Sequence, residues 1–353
     1  MHLPRPRGAV SDALLECLSH RRDTSLLSDL VAARLVLTDD ILTDDDLQTT
    51  LFCLYELHYT GFADVDDSFE WDPELLRARA QIEARFEEQL RTVVPVPLNC
   101  EPTVEAVAAA LFALTAPDAG PSVSRYVAKK ATDEQLRELL IQRSLYQLKE
   151  ADPHTWAIPR LSGRAKAGLV EIQTDEYGNG RPALMHSALF AQTMRGLGLD
   201  DDYGHYVDSL PAITMASLNM MSMFGLHRRL RGAISGHLAA FEMTSSIPSR
   251  FYGNGFRRLG YGEETTLYFD EHVEADAVHE QIAGRDLAGA LAEAEPELVG
   301  DILFGAAACL YVDGLVGEHI LECWKNGRTS LVVREPAFAR AAPSPRVPGN
   351  YHG

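Results

Sequence analysis

Several things are scarce in this sequence, and each scarcity closes a class of function. The five cysteines (Cys17, Cys53, Cys100, Cys309, Cys323) are scattered, with no CxxC and no paired spacing. A disulfide framework is therefore not expected, and the thiols read as reduced, as in a cytoplasmic protein. Cys53 and Cys309 sit in apolar stretches and read as small buried hydrophobes. No uninterrupted run of about 18 apolar residues occurs, so no membrane span is predicted. Residues 1–8 carry some positive charge with no apolar stretch behind it, which does not read as a secretory signal. Basic charge is short as well: 32 Lys and Arg stand against 51 Asp and Glu, a formal net charge of −19. That deficit argues against nucleic acid or an anionic membrane as a partner, since both need a basic face. The acidic runs at 39–46 and 200–202 read as solvated surface. Alternating strand patterns are nearly absent, and no internal repeat is found.

What remains is helical periodicity. The 353 residues can bury one large or two medium cores, and the pattern predicts an all-α fold. Helices are expected over 12–20, 24–37, 46–59, 73–93 and 103–114, with Pro73 as a first-turn residue. The turn-rich segment 115–121 marks a boundary. Thr132-Asp-Glu-Gln135 is a capping box opening a helix that should run to Glu150, stopped by Pro153. Further helices are expected over 165–177, 184–197, 202–223 (Pro211 a kink or fresh start), 226–245, 272–282 and 295–324. Only 330–334 looks extended. The tail from Phe338 is Pro- and Ala-rich and reads as disordered.

The sharpest motif is His272-Val-Glu-Ala-Asp276-Ala-Val-His279. At about 100° per residue, positions four and seven beyond His272 return to within about 40° and 20° of it, so His, Asp and His form one stripe. Imidazole with carboxylate suits a borderline divalent metal such as iron. A second piece is Glu176-Tyr-Gly178-Asn-Gly180-Arg-Pro182, followed by His186. On an unbroken helix these two side chains could not share a metal, but the glycines and proline break it and permit a loop that brings them together. A third is Glu242, among small and apolar neighbours, where a buried carboxylate needs a partner or a metal. Gly236 and Ala240 would let another helix approach closely there. The fourth is Glu150, at the end of a helix with Ile141, Leu145 and Leu148 on its apolar face. Four carboxylates and three imidazoles pointing into a helical bundle would make a dinuclear carboxylate site.

These motifs resemble, over about residues 130–325, the haem-oxygenase-like diiron oxidases, a family described as iron-containing redox enzymes. The family pattern is a Glu on the first core helix, Glu and His on the second, Glu on the third, and His-x3-Asp-x2-His on the last. Here it falls on Glu150; Glu176 and His186; Glu242; and His272, Asp276 and His279. The resemblance implies a haem-oxygenase-like bundle over 126–335 and a helical N-terminal extension over 1–125 linked to dimerisation, with 336–353 left as a tail. It implies two Fe(II) ions that activate O2 through a peroxo-diferric species, with an external electron donor where one is needed. A small amine or amino-acid substrate in natural-product biosynthesis is implied too. The wide, glycine-bearing gap between Glu176 and His186 leans to the N-oxygenating branch. Desaturation, cyclisation or C–C cleavage of an aliphatic amino acid is the alternative within the same metal chemistry. From outside it, a haem-binding helical protein would need one axial histidine.

Other groups read as bystanders. Glu56 and His58, two apart, face different sides of a helix. His237, Glu318 and His319 sit on apolar helices as core or interface residues, and His205 reads as structural. Gly253-Asn-Gly255 reads as a turn without the preceding strand of a nucleotide loop, and Ser245-Ser246 lacks a nucleophile-elbow setting. Met215, Met220, Met221 and Met223 are expected to pack core or line a pocket. Among Arg228, Arg229 and Arg231, one could grip a substrate carboxylate.

Overall fold

The computed structural model describes residues 1–20, 24–97, 99–117 and 120–333, with residues 274–277 described in backbone only. Every regular element among the described residues is helical. In chain order the helices are α1 (Ala9–His20), α2 (Leu27–Leu37), α3 (Asp45–Glu56), α4 (Pro73–Val93), α5 (Val104–Leu114), α6 (Val123–Lys129) and α7 (Asp133–Gln147). Then follow α8 (Asp152–Thr155), α9 (Gly163–Glu176), α10 (His186–Gly196), α11 (Ala212–Leu226), α12 (Arg231–Arg258) and α13 (Glu263–Gln281). A π-helical stretch, Ile282–Gly289, runs on into α14 (Ala290–Ala294), and α15 (Val299–Lys325) closes the described chain.

Local chemistry explains many of the starts. Asp44 caps α3 and Asp72 caps α4, each carboxylate accepting from two backbone amides, with Pro73 at the first turn of α4. The Thr132–Gln135 capping box forms reciprocally at the start of α7, satisfying two amides that the first turn would otherwise leave bare. Pro211 is a fresh start, serving as N-cap of α11.

Helices α12 and α15 form the spine. Gly236 and Gly305 make their contact close: a β-carbon on Gly236 would collide with the Ile302 backbone, and one on Gly305 with that of Ala233. A principal apolar cluster joins α1–α5 to α11, α12 and α15, and a smaller one lies among α6, α7, α10, α12, α13 and α15. The segment Pro296–Lys325 is long and apolar enough to cross a membrane by length and composition, although half of its most apolar window is buried inside the molecule. Core helices of this kind pass the same test.

Six expectations need correction, the first being that the acidic run 39–46 is solvated, since Asp44 and Asp46 are buried. Helix α7 ends at Gln147, so Glu150 stands on a turn; Ala151 takes a left-handed φ of 78° ahead of Pro153, which cannot continue a helix. The expected helix over 226–245 is split, because α11 reaches Leu226 and α12 starts at Arg231. Gly253-Asn254-Gly255 is no turn: α12 runs through it and through Pro248, and Gly255 gives room for the Val127 backbone. Helix α13 starts at Glu263, nine residues before His272; its acidic, threonine-rich beginning has no apolar period. Residues 330–333 form no strand; Val332 makes one backbone bond to Ser209, and Ser330 is buried against Glu138. Arg334 and the tail from Phe338 lie outside the described residues.

Candidate metal centre

Four segments bring the predicted side chains together. Glu176 is the last residue of α9, and the chain leaves it through Gly178 (φ 63°), Asn179 (φ 53°) and Gly180 (φ 75°). Left-handed backbone of this kind suits glycine, and Asn tolerates it. The loop closes tightly, since a β-carbon on Gly178 would lie 2.5 Å from the Leu184 carbonyl carbon. It then delivers His186 as the first residue of α10, with Nδ1 2.9 Å from Glu176 Oε2. Glu242 projects from α12, and His272 and His279 from α13, all buried. Backbone describes Asp276 on α13, but its side chain lies outside the described residues.

The described side chains form two clusters that share one residue. Glu150, Glu176, His186 and His272 each offer a ligand atom within 4.8 Å of the others, and so do Glu176, Glu242 and His279. His272 donates from Nδ1 to the Tyr268 carbonyl at 2.7 Å, which leaves Nε2 facing Glu150 at 3.7 Å. His279 presents Nδ1 to Glu242 at 3.3 Å and Nε2 to Asp175 at 3.4 Å. The Tyr268 hydroxyl stands 2.9 Å from both oxygens of Glu150. The rings of His186 and His272 are 4.5 Å apart.

So many ionisable groups in one buried place distort one another's protonation. Burial pushes the Glu176 carboxyl up, against the pull of His186. Burial disfavours the charged form of His186, but Glu176 outweighs it and the imidazole titrates above its ordinary range. His279 is likewise opposed by burial, yet contact with Glu242 and the charges of Glu242, Glu176 and Asp175 raise it to about 9.

The arrangement fits a metal better than it fits a hydrogen-bond network. Among the described residues, Glu176 Oε2, His186 Nδ1 and His279 Nδ1 are fully buried without an aligned hydrogen-bond partner. Close approach without alignment costs free energy in a bare protein. An ion in each cluster, with Glu176 common to both, would satisfy all three. Carboxylates and imidazoles together are a donor set that iron accepts.

The bystanders stay away from this centre. Glu56 pairs with Lys149 at 2.8 Å, while His58 lies against Glu70 and Arg79. His237 is buried in the core and shares a 3.1 Å contact with His154; burial lowers both, His154 to about 3. His319 donates to the Ser330 carbonyl, and His205 sits 3.4 Å from Asp200. Arg229 and Arg231 pair with Glu87 and Glu295, so neither serves the cavity. The four methionines are buried, Met221 at the cavity wall. Sequence reasoning overlooked Tyr268, Asp175 and Arg143. Tyr268 stands four residues before His272, one turn along the same stripe, and that spacing was the available signal.

An all-α bundle with buried carboxylates and imidazoles converging from separate helices defines a class of metal-dependent redox protein. The family model described as iron-containing redox enzyme matches residues 137–314, about half the chain, and the chain belongs to that family. Its fold is the haem-oxygenase-like helical one. It is also similar to nitrosourea synthase from Streptomyces achromogenes subsp. streptozoticus, 27% identical over 171 residues. That match covers 47% of this chain and 36% of the relative, so the chain corresponds to little more than a third of that protein.

Proposed function

We propose that Glu150, Glu176, His186, Glu242, His272, Asp276 and His279 hold two Fe(II) ions, and that the enzyme uses O2 to oxidise a small amine or amino acid. The observation that carries this reading is Glu176, common to both clusters and left with a buried, unpartnered oxygen. Bound there, two ferrous ions would supply the two electrons that, with two protons, take one oxygen atom of O2 to water while the other passes to substrate; an external donor restores them. The protein's part is orientation. The Tyr268 carbonyl fixes the tautomer of His272 and Asp175 backs His279, and such outer partners align imidazole ligands. Tyr146, Leu218, Leu238 and Phe241 give the adjoining cavity an apolar wall.

N-oxygenation leads, supported by the similarity to nitrosourea synthase and by the glycine-bearing loop between Glu176 and His186. Desaturation, cyclisation or C–C cleavage is the alternative. A haem asks for one unencumbered axial imidazole, whereas each of these three faces a carboxylate. Residues 1–125 are read as an extension that supports a homodimer, which light scattering of the whole chain tests.

The deciding experiment is an anaerobic Fe(II) titration of metal-stripped protein followed by an O2 pulse. The expected endpoint is two irons per chain, with a transient visible absorbance after O2. No uptake, or one iron and no transient, overturns the diiron reading. Mass spectrometry of products then separates gain of oxygen on nitrogen from loss of two hydrogens or of carbon.

A further inference from the structure

A cavity of about 730 Å³ adjoins the metal centre, with Glu150, Glu176, Glu242 and His272 in its lining. Leu145, Tyr146, Leu218, Met221 and Phe241 give that lining its apolar part. Two charged side chains of opposite sign, Arg143 from α7 and Asp313 from α15, line it as well.

Arg229, Arg231 and Arg257 are each matched by a carboxylate, and Arg160 and Arg258 are each spent on two or more backbone carbonyls. Arg143 instead donates to the Tyr252 hydroxyl at 3.0 Å and stacks 4.7 Å above that ring, and no carboxylate among the described residues forms an ion pair with it. A guanidinium has five N–H donors in a planar fork matched to a carboxylate, and one phenol uses little of that capacity. Asp313 takes a hydrogen bond from Ser217 on one oxygen, Oδ1, at 2.7 Å. Asp313 is open to the cavity yet enclosed by protein mass, and that enclosure raises its carboxyl above the usual range. The two opposite charges face one cavity without closing on each other. A guest carrying both an anion and a cation a few ångströms apart would complete them.

We infer that Arg143 and Asp313 are the head-group subsite for an α-amino acid, Arg143 taking the carboxylate and Asp313 the ammonium. Arg143 is on α7 and Glu150 on the turn just after it, and both line the same cavity. A guest held by its head group at Arg143 would lay its side chain along the apolar lining shared with the metal centre. The link to oxidation rests on the oxidase reading, while the subsite itself rests only on the cavity.

The test is anaerobic calorimetry on protein whose iron content has been counted, titrated with the standard L-amino acids. Each binder is compared with its decarboxylated amine and its deaminated acid. At least one long-chain amino acid is expected to bind, and each analogue should lose about 100-fold. Arg143→Gln should lose about 100-fold and Asp313→Asn about 30-fold, with Arg143→Lys, which keeps charge but loses the fork, between wild type and Gln. Iron content and melting temperature of these variants should match wild type. An amine that binds as well as its parent, unchanged affinity in Arg143→Gln, or no amino acid binding overturns the subsite. So does an Arg143→Gln variant that loses iron but keeps ligand affinity, which would make Arg143 a counter-charge for Glu150. Amino-acid binding through Arg143 in protein that takes up no iron would sink the oxidase reading and leave the subsite standing.

Discussion

The two clusters that share Glu176 are built from different supports. Around Glu150, His186 and His272 the neighbours are ring and backbone groups: the Tyr268 hydroxyl and carbonyl, the Phe190 ring behind Tyr268, and two imidazoles tilted against each other. Around Glu242 and His279 the support is charge, with Asp175 on the outer nitrogen of His279. Among the described contacts, one half is held by neutral groups in a packed interior, the other by a half-exposed carboxylate. The same ligand chemistry is thus placed in two electrostatic settings, and the second is the one that protons and salt can reach.

The largest blow to this arrangement is Glu176→Ala. Removing the shared carboxylate should take iron from two per chain to near zero, read by metal analysis after gel filtration. Replacing one imidazole separates the halves: His272→Ala and His279→Ala should each retain about one iron, bound in opposite halves. Equal loss of both irons from either variant would show that neither half holds metal alone.

Smaller effects sharpen the contrast. Asp175→Asn should weaken iron binding about 10-fold or more, because outer partners of ligating histidines carry that much. Tyr268→Phe keeps the carbonyl that orients His272 and loses only the hydroxyl on Glu150, so a smaller loss is expected. The pH dependence is the mildest lever. His279 in the metal-free protein titrates near 9, above its ordinary 6.5, so a proton occupies it at neutral pH and iron must displace it. Iron affinity of that half should rise up to about tenfold per pH unit until about pH 9, then level. Without metal the sign reverses for stability. The contribution of protonated His279 is full below about 6.5 and lost as pH climbs through 9. Melting of the stripped protein should fall over that window, and His279→Gln should flatten the fall.

Much of this was readable from sequence where a short-range rule sufficed. The capping box, Pro73, Pro211 and the close approach at Gly236 all follow from a few adjacent residues. The glycine break between Glu176 and His186 was legible for the same reason: positive φ is a local demand with a local signature. What escaped depends on partners distant in sequence. Gly253-Asn254-Gly255 looks like a turn until the Val127 backbone is set against Gly255. Arg143 looks like one more charged residue on a helix until α11, α12 and α15 enclose it. Glu150 was assigned to the wrong element, since the end of α7 is decided by the turn at Ala151 rather than by Pro153 alone.

The π-helical stretch Ile282–Gly289 begins three residues after His279 and packs against α5 and α9, with Gly284 and Gly289 at close approaches to Met243 and Val104. A π turn takes more residues than an α turn, so it changes the phase of the side chains that follow. Helix α13 thus keeps one phase for its histidine stripe, and the segment beyond keeps another for packing on α5 and α9. Deleting one residue there would swing everything downstream by about 100°. The stretch works as a gear between two sets of teeth, and since α9 ends on Glu176 a slip there would be felt at the centre.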